Sequence, residues 1–245
     1  CAVVGRSTIG HMLPDVVFGA LHQALPDTVP AEGTSNLWNL PLGAGHGLTS
    51  RAGDQSTAFT TMSFHSGGAG ARPHQDGLSA TPYPSGVRNV PVEITEAITP
   101  LVIWRKDYRA DSGGPGKQRG GLGQVMEISS RENAPFGLFA RYERVHYPPR
   151  GRDGGGNGAN GRLTLNSGEV FRNKGFQVVP KGKRLLIEMP GGGGYGDPFT
   201  RQPEAVAADV KAGLVSLEAA ARDYGVSVLT DFSVDAAETA RLRGD

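Results

Sequence analysis

The chain has 245 residues and a formal charge of +1, so no whole-molecule field draws in nucleic acid or an anionic membrane, and neither is expected as a partner. No apolar run approaches the ~20 residues needed to span a bilayer and no signal-peptide pattern is present, so a cytoplasmic protein is expected. One cysteine, Cys1, rules out an internal disulfide framework and a Cys-rich zinc site.

Glycine and proline are abundant, at 37 and 17 residues. They lie between apolar, β-branched and aromatic runs, which favours the turns of a β-rich fold over disorder. The sequence begins in CAVVGRSTIGHMLPD without a methionine, as a piece of a longer chain would. An N-terminal nucleophile at Cys1 is the alternative, and nothing else in the sequence supplies its signature.

In chain order, Pro14-Asp15 is a helix start, and Val17, Ala20, Leu21 and Ala24 follow at helical spacing, predicting an amphipathic helix that ends before Pro26. LWNLPL and AFTTMSF, within 27–77, read as short strands among loops. From Pro91 to Trp104, alternating VEI and continuous LVIW predict at least one buried strand. GGPGKQRGGLG, Gly113 to Gly123, reads as a loop. VMEIS, FGLFARY, RLTLN, EVF, FQVVP and RLLIEM then come at short intervals between turn residues, predicting antiparallel strands in a sandwich or barrel. Past Gly196 the pattern turns helical: a helix opening at Gln202-Pro203 with Val206 and Val210 on one face and closing at Gly213, a second from Ser216 to Tyr224, a short VSVL strand, and a third helix from Ser233 to Arg243. The expected class is α+β: a β-rich domain over 1–198, with mostly antiparallel strands, and a helical tail over 199–245 that packs on the sheet or on a partner subunit.

Chemistry concentrates in GARPHQDGLSATPYPSGVRNVPVE. Arg72 and Arg88 are suited to grip a carboxylate or acyl phosphate through a bidentate fork, with Asn89 beside them. His74 and Asp76, two residues apart, are candidates for proton transfer. The bland alternatives are an Arg88–Glu93 ion pair and Asp76 as a turn former. Gly191, Gly192, Gly193, Gly194, Tyr195 and Asp197 form a second candidate, a loop or interface. Its glycines could offer N–H groups to an anion, but no G-K-[ST] follows and the dinucleotide frame is imperfect, so a structural turn is favoured. The six histidines form no HxH, HxxxH or HExxH arrangement, and no metal ligand is assigned. No G-x-S-x-G is present. The Arg/Gly stretch RGRDGGGNGANGR is too short for an RNA-binding tract and reads as hairpin turns.

PGGGGYGDPFTRQPEAVAADVKAGLVSLEAAARDYG, together with DGLSATPYPSGVRNVPVE, DSGGPGKQRGGLGQ and MLPDVVFGALHQALPD, resembles the C-terminal portion of hydantoinase B subunits, the family that includes 5-oxoprolinase and N-methylhydantoinase and, more distantly, acetone carboxylase. The resemblance implies the B part of an ATP-dependent cyclic-amide hydrolase, working in a hetero-oligomer with a hydantoinase A-type subunit that uses ATP and Mg. It also implies a missing N-terminal half of the hydantoinase B-type protein, which carries a divalent metal such as Zn or Mn, and a cyclic amide or ketone as substrate. A carboxylase subunit and a non-catalytic scaffold that docks the hydantoinase A-type partner are the alternatives.

Overall fold

The computed structural model describes residues 6–35, 37–45, 57–81, 83–87 and 90–244. Two helices come first, α1 (Arg6–Gly10) and α2 (Leu13–Leu21), followed by strands β1 (Trp38–Ala44) and β2 (Phe59–His65). Helix α3 (Val92–Ile98) precedes β3 (Leu101–Tyr108), β4 (Gln124–Ser130), β5 (Phe136–Arg141), β6 (Arg162–Leu165), β7 (Lys174–Val179) and β8 (Leu185–Glu188). A single 3-10 turn, Pro198–Thr200, leads into α4 (Pro203–Lys211), α5 (Leu217–Tyr224) and α6 (Ala236–Arg243).

The strands form two four-stranded antiparallel sheets, ordered β2-β1-β5-β7 and β3-β4-β8-β6. Period-two patterning explains how they bury a common core. Trp38, Leu40 and Leu42 of β1 and Phe136, Leu138 and Ala140 of β5 turn inward from one sheet, and Met126 and Ile128 of β4 with Leu185 and Ile187 of β8 from the other. Trp38 stacks on Tyr142 at 4.4 Å between ring centroids, and both are fully buried.

Several elements differ from expectation. VEI belongs to helix α3, because Pro91 sits at its N-cap and Glu93 falls in its first turn. LVIW is a strand, β3, but only Leu101 of it is buried, since β3 is an edge of its sheet. EVF and VSVL contribute only the isolated bridges Thr164–Val170 and Val228–Val234. Helix α2 stops at Leu21, short of Leu25.

The largest departure is in the glycine-rich segments, which pack closely together instead of standing out as exposed loops and turns, apart from the turn at Asp153-Gly154. Residues 190–195 run extended and buried among 31–34, 67–71, 112–123 and 150–159. Gly191 N–H donates to Ala159 O, Gly192 to Gly121 O, Gly193 to Glu32 O, Gly194 to Gly156 O and Tyr195 to Gln118 O, at 2.8–3.2 Å. The targets repeat every three residues: 191 and 194 reach the 150–159 segment, and 192 and 195 reach 118–123. A three-residue repeat is the geometry of a polyproline II helix, whose backbone groups point outward to neighbours and cannot bond internally. Packing such chains side by side leaves no room for a Cβ. A methyl on Gly191 would overlap the Ser112 carbonyl, and one on Gly192 that of Ala69.

The tail helices have a small core of their own, Val206, Val210 and Val215 against Ala219, Ala220, Tyr224 and Val226. Ser216 caps α5 by accepting from Ala219 N, and Gly225 ends it at φ 61°.

Candidate functional site

The turn 72–76 is closed by paired backbone hydrogen bonds between Arg72 and Gln75. This turn separates the candidate residues. His74 stands exposed at its tip. Arg72 is also exposed, with Nη2 donating to the backbone oxygen of Asp76 at 3.0 Å, and it lines a cavity of about 340 Å³. Asp76 points elsewhere. Its oxygens accept from Arg201 Nη1 and Nη2 at 2.7 and 2.8 Å and from the Arg119 backbone N–H at 2.7 Å.

Arg201 also donates to Asp209 of α4 at 2.8 Å, and Asp209 accepts from Arg119 Nε at 3.2 Å. Burial opposes ionisation of Asp76, but the Arg201 hydrogen bonds and charge outweigh it and hold the carboxyl below the usual range. A carboxylate held this way is a poor proton carrier near neutrality. Asp76, one of the two proton-transfer candidates, thus ties the glycine-rich body to the tail. Arg88 and Asn89 lie outside the described residues.

The glycine candidate is engaged in the same structural way. The N–H groups of Gly191, Gly192, Gly193, Gly194 and Tyr195 are all spent on backbone carbonyls, so no anion nest forms there. Tyr195 donates its hydroxyl to Pro26 O at 2.7 Å. Asp197 caps the 3-10 turn by accepting from Phe199 N at 2.9 Å.

Sequence patterns give no sign of the cavity wall opposite Arg72. Phe18 of α2 stacks on Tyr83 at 6.0 Å, and Asp15 of α2 and Ser35 supply polar groups in a mostly apolar lining. Ser35 donates its hydroxyl to Asp15, and Arg144 Nη2 donates to Asp15 at 2.6 Å. Burial pushes the Asp15 carboxyl up despite both partners. Arg144 also reaches Glu32 at 3.0 Å, and Glu32 accepts from Arg150 Nε at 2.7 Å. Burial opposes ionisation of Glu32 too, but Arg150 and Arg144 together lower its pKa. Ser35 and Arg144 both hold positive φ, 55° and 59°, a strain of about 1 kcal/mol or more each in non-glycine residues. In the sequence, Asp15 reads only as a helix-start residue, and nothing marks Arg144 as its partner.

His65 pairs with Ser63 at 2.7 Å through Nε2, and burial lowers its pKa to about 3. The adjoining space is only about 10 Å³, enough for at most one water, so this pair is a core contact with no room for a substrate. Among the described residues, no group of three or more His, Cys, Asp and Glu could hold a metal ion. No helix among them is long and apolar enough to cross a membrane.

This arrangement of a two-sheet sandwich on a polyglycine body has known relatives. The hydantoinase B/oxoprolinase family matches residues 1–198, and the chain belongs to that family. It is 31% identical over 250 residues to a putative D-/L-hydantoinase of the B type from Pseudomonas sp. strain NS671, covering 98% of this chain and 40% of that protein. It is 34% identical to the beta component of caprolactamase from Pseudomonas jessenii, covering 93% and 40%. The crystal structure of ATP-dependent caprolactamase from the same organism superposes with a TM-score of 0.74 at 29% identity, over 92% of this chain and 40% of that one. Nucleotide-free acetone carboxylase gives 0.69 at 28%, over 88% and 33%. The chain thus spans about 40% of the length of these two sequence relatives, matching their C-terminal portion.

Proposed function

We propose that this chain is part of the hydantoinase B-type component of an ATP-dependent cyclic-amide hydrolase, completing ring opening of a substrate that a hydantoinase A-type partner has phosphorylated. The observation that carries this reading is the match of nearly the whole chain to a B-type hydantoinase and to the beta component of caprolactamase. An amide is a poor electrophile because resonance places nitrogen density on its carbonyl. Phosphorylating the oxygen, with ATP and Mg in the partner, removes that protection: water adds to the activated carbon, the ring C–N bond breaks as its nitrogen takes a proton, and a second water releases phosphate from the resulting acyl phosphate.

Within this scheme Arg72, at the mouth of the 340 Å³ cavity, binds the phosphorylated group through its guanidinium fork. Phe18, Leu78 and Tyr83 give ring methylenes an apolar wall. His74, exposed beside Arg72, moves the proton, and Asp76 holds their turn in place through Arg201. By residue type alone, Arg88 and Asn89 are proposed as further substrate contacts.

The test is to supply cyclic amides to the purified complex and follow ADP and ring-opened product together. One ADP per ring opened, with Arg72→Ala lowering kcat/KM at least tenfold, is the expected result; ring opening without nucleotide contradicts the reading. The likeness to acetone carboxylase favours one second reading, a carboxylase component, which predicts bicarbonate-dependent ATP use with a ketone in the same assay.

A further inference from the structure

Helix α2 is amphipathic in the inverted sense. Its one buried residue is the acid Asp15, anchored to Arg144 and Ser35, whereas Leu13, Val16 and Val17 are 57%, 67% and 53% exposed and Leu21 is also exposed. Positions 13, 16, 17 and 21 recur at helical spacing and form one apolar stripe. A nine-residue helix does not hold itself in water by propensity, and this one presents its apolar side to solvent. Tyr147, 82% exposed, extends the stripe. Together with Met12, Val16 and Pro148 it rims a second cavity of about 320 Å³, whose charged floor is Asp15, Glu32 and Arg144, with exposed Arg150 paired to Glu32 at its edge. Those four charges, two of each sign, are paired with one another, so floor and edge together offer a partner no net charge.

We propose that the α2 stripe, with Tyr147 and the cavity beside it, seats the portion of the hydantoinase B-type protein that lies outside the region matched here, whether on the same polypeptide or on a separate one. The inference rests on the functional reading above in taking that portion to exist for this protein. Two observations select this occupant. Alignment covers 98% of this chain but 40% of the B-type hydantoinase relative, so the larger remainder of such a protein must meet this fold somewhere. An apolar stripe over an internally neutralised floor has the character of a permanent interface, which is more apolar than the charged rim of a transient one.

The experiment places a photoreactive amino acid in the native complex, as Val17→p-benzoylphenylalanine and, separately, Leu13→p-benzoylphenylalanine, with exposed Val170 as the control position. Cross-linked peptides are then identified by mass spectrometry. Peptides aligning with the remainder of the B-type relatives, from both positions and at least tenfold above the control, are expected. Peptides from the A-type partner, from a second copy of this chain, or no cross-link above the control overturn the assignment. Lactam-dependent ATP hydrolysis is measured on the same preparation. An active complex that cross-links to the A-type partner contradicts the seat alone, while an inactive one with the expected cross-links contradicts the functional reading and leaves the seat standing.

Discussion

Arg201 grips Asp76 across 125 positions of sequence, its two terminal nitrogens 2.7 and 2.8 Å from the two carboxylate oxygens. The pair joins the turn that carries Arg72 to the segment leading into α4, and Asp209 and Arg119 close the network. An Asp in the most chemically suggestive stretch of the sequence is therefore an organiser of two parts of the fold.

Asp76→Asn is expected to destabilise the protein by about 2–3 kcal/mol, the value of charge-assisted hydrogen bonds lost from a partly buried site. Asp209→Asn, which leaves both Arg119 and Arg201 short of a buried counter-charge, is expected to cost about 3–5 kcal/mol. Urea unfolding measures both. If Asp76 is a positioning residue, folded Asp76→Asn keeps kcat within about threefold; a loss above a hundredfold with unchanged stability would make it catalytic instead.

Asp76 and Asp15 respond to pH in opposite directions. Asp76 has a folded-state pKa below its unfolded value, so the stability it contributes is present above the ordinary carboxylate pKa of ~3.9 and is lost as pH falls through the lower folded value. Asp15 has a raised folded-state pKa, so its contribution is complete below ~3.9 and declines as pH rises through the folded value. Asp76→Asn should therefore flatten the acid limb of the stability–pH curve, and Asp15→Asn the rising-pH side of the same region. Unfolding free energies from about pH 2.5 to 7 bracket the ordinary carboxylate range and check the signs.

Gly192→Ala is expected to destabilise by at least about 3 kcal/mol, the upper range for overpacking, because the added methyl meets the backbone of Ala69, which has no rotamer to yield. Gly86→Ala, where a Cβ meets nothing within 4 Å, should change stability by less than about 0.5 kcal/mol. Thermal unfolding of the two variants side by side distinguishes a packed polyglycine body from a permissive loop, which would tolerate both.

Arg72→Ala is expected to lower kcat/KM by about 10–100-fold, as the loss of about 1.5–3 kcal/mol of charge-assisted binding implies. Arg72→Lys should restore little of it, since an ammonium lacks the planar fork. Stability should hardly change, because the Arg72 side chain is exposed and its described hydrogen bond is to the Asp76 backbone, while the Arg72 backbone pair with Gln75 survives the substitution.

Much of the sandwich is legible in the sequence because β1, β4, β5 and β8 alternate inward and outward residues, and the tail helices because Ser216, Gly213 and Gly225 punctuate them. The polyglycine body is not. Strand and helix periodicities are written in side chains, and a three-residue repeat of backbone hydrogen bonds among glycines leaves no such trace, so GGPGKQRGGLG and PGGGGYG read as loop and turn. Helix α3 escapes a sequence reading because three alternating residues after Pro91 look the same whether the chain turns or extends. The candidate site is half visible. Arg72 stands out by residue type, but nothing in its string marks the cavity it lines, and the Asp15–Arg144 pair on that cavity's wall joins residues 129 positions apart, neither of which alone announces the other.

As proposed above, this chain works as one part of an ATP-driven assembly. The most direct test of this proposal is to measure ring-opened product from a cyclic amide with the A-type component alone, with the B-type component containing this region alone, and with both, each with and without ATP. Product only when both components and ATP are present is the predicted result. Turnover by this polypeptide by itself, without nucleotide, would contradict that proposal.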